Sequence, residues 1–101
     1  MQLTLEENQV YTFKLTSGEE LIAKVIKVDG DNLVIHEPVS VAPSQHGMGL
    51  IPSLFTADPT SETRLNTNTV TIVALTDDSV KVKYLEATTG IKVPEKKIIL
   101  G

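Results

Sequence analysis

Apolar and polar residues alternate in short bursts along this chain, and the period is two. "VYTFKL" (10–15) sets Tyr11, Phe13 and Leu15 on one side of an extended backbone and Thr12 and Lys14 on the other, as in a half-buried β-strand. Ser17-Gly18 follows as a turn dipeptide, with Gly18 free to take a positive φ. "LIAKVIKV" (21–28) is rich in β-branched residues, broken by Lys24 and Lys27, and long enough to curve through two sheets. Asp29-Gly30 is a strong hairpin signal, and "LVIHEPVSV" makes a third strand in which Pro38 requires an edge, a bulge or a bend. "TVTIVAL" (69–75) is a fourth strand with both faces partly buried.

Between these strands the period is lost. Residues 42–68 shift toward Pro, Ser, Thr, Gly and Asn, and read as a long excursion. The apolar knot inside it, "MGLIPSLF", either packs over the core or continues a strand at a neighbouring edge. "TDDSVKVKYLEATTG" fits two patterns. As a strand, Val80, Val82 and Tyr84 share a face opposite Lys81 and Lys83; as a helix, Thr76 or Asp77 caps it and Val80, Tyr84 and Ala87 form a stripe. The strand is the preferred reading. Thr4 and Glu7 match a capping box for one N-terminal helical turn, and Ile98, Ile99 and Leu100 form a last cluster able to pair with an edge. The expected fold is all-β: a small, strongly bent, five-stranded antiparallel barrel filling residues 1–101 as one domain.

Composition narrows the function. With 101 residues, 41% of them apolar, and a net charge of −4, the chain has one modest core, and self-association is a natural route to robustness. The acidic balance disfavours indiscriminate binding to phosphate backbones. No apolar run is long enough to span a bilayer, and the start lacks the basic and apolar regions of an export signal, so a cytoplasmic setting is expected. The absence of cysteine excludes disulfides, thiolate metal sites and a cysteine nucleophile.

The search for chemistry returns little. There is no glycine-rich phosphate loop, no G-x-S-x-G and no histidine pair at zinc spacing; His36 and His46 stand ten residues apart without a third ligand. The adjacent carboxylates Glu6-Glu7, Glu19-Glu20 and Asp77-Asp78 fall at turns, where solvated charge is expected. Neither catalysis nor a metal or cofactor is expected.

The order of parts nevertheless resembles the Sm-like (LSm) family. Its first motif is matched by "YTFKLTSGEELIAKVIKVDGDNLVI", which supplies Gly18, Asp29, Asn32 and the triplet Leu33-Val34-Ile35 in sequence. The spacing from Asp29 to Asn32 is one residue shorter than usual, and the turn lacks the family's stacking residue. The second motif, a basic residue followed by Gly between the last two strands, is placed at "ALTDDSVKV", where Thr76, Asp77, Asp78 and Ser79 stand instead. A closer similarity is to Sm-like proteins of cyanophage and marine metagenomic origin, through Gly49-Leu50-Ile51-Pro52, the strand Val70 to Leu75, and Tyr84 through Gly90-Ile91.

What the resemblance implies is a cyclic homo-oligomer of five to seven subunits that handles RNA or single-stranded DNA. Edge pairing of "TVTIVAL" with "VKVKYL" of the next copy would draw on Val70, Ile72, Val73, Val80, Val82 and Tyr84. Candidate nucleic-acid contacts are Lys27, Asp29, Gly30, Asn32, Arg64, Lys81 and Lys83. The plainer reading makes the lysines solubilising residues on strands, the turn residues a structural requirement, and Tyr11, Phe13 and Phe55 core. The alternative function is a phage structural or assembly protein that docks other proteins through "MGLIPSLF".

Overall fold

The computed structural model describes residues 4–58 and 60–89. Six strands and one helix follow in order: β1 Gln9–Leu15, β2 Glu20–Asp29, β3 Asn32–Ser44, β4 Gly47–Pro52, β5 Thr63–Asn66, a 3-10 turn Thr67–Thr69, β6 Val70–Leu75 and α1 Asp78–Thr89. All the pairings are antiparallel, in the order β4-β3-β2-β1-β6, with β5 also on β3. Among the described residues the sheet is strongly bent but its ladders do not close.

Two bulges make the bend. Ile26 is an extra residue on β2 between the pairs Val25↔Ile35 and Lys27↔Val34. Farther along, Glu37 and Pro38 together face Ala23, between Lys24↔His36 and Ile22↔Val39. Extra residues on one strand bend and twist it. The second bulge answers the expectation for Pro38, and it places Glu37 at φ +52, a left-handed conformation rare outside glycine. It also divides β3 between two partners: Asn32–Ile35 pairs with β5, and Val39–Ser44 with β4. The "excursion" is therefore largely ordered. Its apolar knot takes the second course foreseen for it, a strand at a neighbouring edge, as far as Pro52.

Each face of the sheet buries its own cluster. Tyr11, Phe13, Leu21, Ala23, Val25, Leu33, Ile35 and Val70 fill one side. On the other side Val10, Ile22 and Val39 meet Tyr84 of α1, with Val80, Val41 and Leu50 around them. Burying a side chain such as Phe13 or Ile22 contributes about 1.5–3 kcal/mol.

The preferred strand over 77–89 is overturned: these residues form α1. The Asp77 carboxylate accepts from the Ser79 N–H at 3.1 Å and the Ser79 hydroxyl at 2.5 Å, and Lys81 N–H bonds to Asp77 C=O at 2.8 Å. Alternation and helical spacing coincide in V-K-V-K-Y, because Val80 and Tyr84 are also i and i+4. The stripe Val10, Ile22 and Val39 on the outer sheet face decides for the helix by offering that pair an apolar floor.

Other expectations also change. The described residues form six strands, not five. Thr4 and Glu7 start no helical turn; the chain turns at Asn8 (φ +67), whose N–H donates to Val25 C=O at 2.6 Å. Tyr11 and Phe13 are core, whereas Phe55 is 80% exposed on the loop after β4. The cluster Ile98-Ile99-Leu100 lies outside the described residues, as does Gly90-Ile91.

Candidate functional site

The β2–β3 turn is built on the Asp29↔Asn32 pair, with Gly30 at φ +61, as the Asp-Gly signal predicts. A second turn locks onto it. Thr67, 1% exposed, gives its N–H and hydroxyl to the Asp31 carbonyl at 2.8 and 3.0 Å, while Asn32 pairs with Asn66 across β3 and β5. Asn66 in turn accepts the Asn68 N–H on its side-chain oxygen at 2.9 Å, capping the 3-10 turn. The connection between the last two strands is thus Asn66–Thr69, and not 76–79 where the sequence alignment of motifs put it. That displaced placement followed from taking 77–89 as the last strand. The cue available was the polar, turn-forming run Asn66-Thr67-Asn68-Thr69 itself.

Around these turns the structure gathers Lys27, Asp29, Gly30, Asn32 and Arg64. Lys27 and Arg64 flank Val34 from the two neighbouring strands. The Arg64 guanidinium bonds to Asp29 at 2.9 Å and to Glu62 at 2.5 Å, and these partners, Asp29 foremost, raise its already high pKa. Both pairs are solvent-exposed, so they orient the guanidinium more than they stabilise the fold. The exposed Lys27 is therefore the less encumbered cation of the two. Lys81 and Lys83 are not part of this group. They sit on α1, which packs over the opposite cluster.

The interface candidates divide in the same way. Val70 and Tyr84 are buried, at 3% and 1% exposure, and serve the monomer's own cores; Val80 is half-buried against the helix floor. Val82 is exposed, but on a helix, so the expected pairing of 80–85 as a strand is excluded. Ile72 and Val73 do lie on β6, whose one paired neighbour is β1. Ile72 and Leu75 there are 63% and 65% exposed. At the other end of the strand order β4 carries exposed Met48 and Ile51, and the short β5, off that path, pairs with β3 alone among the described residues. Among the described residues β6 and β4 thus each have one paired neighbour and carry exposed apolar side chains, the arrangement that invites edge pairing.

Tyr84 does something sequence reading did not foresee. Its hydroxyl accepts from Lys24 N–H at 3.1 Å and donates to His36 C=O at 2.8 Å, standing between β2 and β3 beside the Glu37-Pro38 bulge. Burial pushes this hydroxyl up to about 12, with the Lys24 N–H pulling the other way and the Glu37 carboxylate adding to the rise. Its environment suits a structural bridge rather than an acid or base near neutrality.

Among the described residues no three His, Cys, Asp or Glu side chains come together to hold a metal ion. Nor is any described helix long and apolar enough to cross a membrane. No family model matches the chain, and no curated protein sequence matches it.

Proposed function

We propose that this protein is an Sm-like subunit that assembles edge to edge into a cyclic homo-oligomer and contacts single-stranded nucleic acid, RNA foremost, through its paired turns. The observation that carries the reading is that, among the described residues, the two ends of the strand order are open: β6 with exposed Ile72 and Leu75, and β4 with exposed Met48 and Ile51. Because the two borders differ, their contact is head-to-tail, and a rotation per subunit that divides the full circle closes it into a ring. This replaces the pairing with 80–85 by pairing of β6 with the β4 side of the next copy. The convergence of Asp29–Asn32 with Asn66–Thr69 supports the resemblance, since both turns of the family's two motifs are then neighbours.

One copy grips a polyanion weakly, because Arg64 is already paired with Asp29 and Glu62 and leaves Lys27 as the less encumbered cation. Repetition around a ring converts weak contacts into a multivalent one. The test is solution mass by light scattering, followed by binding of fluorescent oligouridine at two salt concentrations. Five to seven subunits, with affinity that falls as salt rises and on Lys27→Ala, supports the proposal. A monomer refutes it.

A second reading has its own observation. Leu54 and Phe55, 52% and 80% exposed, form an apolar prong on the 53–58 loop. A ring that fails to bind oligonucleotide but loses a protein partner on Phe55→Ala would be an assembly component, as in a phage structural protein.

A further inference from the structure

A cleft of about 450 Å³ opens where the β3 bulge, β4, the 53–58 loop and the last turn of α1 meet. Pro38, Val39, Leu50, Pro52 and Leu54 give it apolar walls, with His36, Thr63 and Thr88 as polar members of the lining. Two carboxylates, Glu37 and Asp58, stand on its lining, and no Lys or Arg does. Among the described residues the ion pairs engage Asp29, Glu62 and Arg64 only, so neither carboxylate is ion-paired, either to Lys or Arg or to the His36 that shares the lining.

One carboxylate is held by hydrogen bonds, and the other is placed by its backbone. Asp58 accepts the Thr60 N–H at 2.9 Å and the Thr60 hydroxyl at 2.7 Å on one carboxylate oxygen. The backbone of Glu37 is set by the bulge, between Pro38 and the His36 carbonyl that Tyr84 anchors. Two uncompensated negative charges over an apolar floor call for a cation that brings its own apolar surface.

We propose that this cleft receives an arginine side chain, flanked by apolar residues, from a partner polypeptide. Guanidinium suits it better than ammonium: it is planar, weakly hydrated, offers several fixed donors to carboxylates, and its stem packs on apolar walls. The flanking residues land on Leu54, which lines the cleft, and on the next residue, Phe55; both are exposed. A docked peptide thus uses the prong, the floor and the charges together. An anionic ligand is disfavoured by the same two carboxylates. The inference does not depend on ring formation or on nucleic-acid binding.

The probe is acetyl-Leu-Arg-Leu-amide, titrated into the full-length ¹⁵N-labelled protein, with the citrulline peptide as an uncharged isostere. Expected are shifts at Leu50, Leu54, Thr63 and Thr88, and affinity for the citrulline peptide lower by about tenfold or more, the scale of a lost charge-assisted hydrogen bond. Asp58→Asn, in an exposed loop, should weaken the arginine peptide about fivefold or more on the same scale, with the far-UV spectrum unchanged. Glu37→Gln should act likewise, and if it disturbs the bulge the Asp58 variant still decides. Equal affinity for the arginine and citrulline peptides overturns the proposal. So do shifts confined to the β4 and β6 borders, or an undiminished affinity in Asp58→Asn.

Discussion

Replacing Tyr84 by Phe removes one oxygen and nothing else from the helix–sheet contact. The ring stays in its place among Val10, Ile22 and Val39, so the hydrophobic contribution of the side chain is kept. What is lost is the bridge: the Lys24 N–H at 3.1 Å and the His36 carbonyl at 2.8 Å both lose their partner. Leaving one buried polar group unsatisfied costs about 1–3 kcal/mol, so two cost about 2–4 kcal/mol once some relaxation is allowed. Against a total stability of about 5–15 kcal/mol this is a large fraction. The lower figure of about 2 kcal/mol corresponds to a fall in Tm of roughly 8–16 °C for a domain of this size. Urea unfolding followed by circular dichroism measures it, with the slope m expected to be unchanged. The titration gives a second reading. In the folded state the hydroxyl ionises near 12, whereas in the unfolded chain it ionises at its ordinary value of 10.0. Its contribution is complete below pH 10, then falls as pH rises toward 12, because the unfolded state releases the proton first. Tyr84→Phe should lack this component, visible as the difference between the two proteins over that window. A variant within about 0.5 kcal/mol of the parent, the usual range for a surface change, would refute the reasoning and mean that Lys24 and His36 bond each other directly once the hydroxyl is gone.

Three further outcomes are expected. Ile72→Lys with Leu75→Lys should reduce the solution mass to that of a monomer while leaving the Tm nearly unchanged, since both side chains are exposed in the single subunit; a ring that survives would place the interface elsewhere. Asp77→Ala should lower the Tm and the helical signal at 222 nm. The Asp77 carboxyl is held below its ordinary 3.8 by the Ser79 hydroxyl and N–H, so its contribution is present above that value and is lost as pH falls through the lower folded one; the variant should show a flatter acid limb. Gly30→Val should destabilise by about 1–2 kcal/mol, because a β-branched residue resists φ +61 although open space surrounds the site.

Much of this protein is written in local patterns. The alternation Tyr11-Phe13-Leu15 places its own strand and its buried face, because period two admits one extended solution against a core. Ser17-Gly18 and Asp29-Gly30 place their hairpins, because few residues tolerate the positive φ those turns require. Pro38 announced a break in the ladder, since it has no N–H to give. Absence of cysteine and scarcity of histidine limited the chemistry before any coordinates. These features need only neighbours in sequence to be legible.

The rest was decided by partners far along the chain. V-K-V-K-Y satisfies strand and helix alike, and what chooses is the outer apolar stripe of Val10, Ile22 and Val39, residues 60 or so positions away in part and invisible to a local window. The ordering of "GMGLIP" depends on a β3 long enough to serve two strands, which the Glu37-Pro38 bulge alone makes possible. Arg64 looked like a free cation until β5 set it beside Asp29. The cleft belongs to no motif, for it exists where four separate segments leave space between them. Sequence determined the pieces whose energy is local, and tertiary structure decided those in which two local solutions were nearly equal and a distant surface tipped the balance.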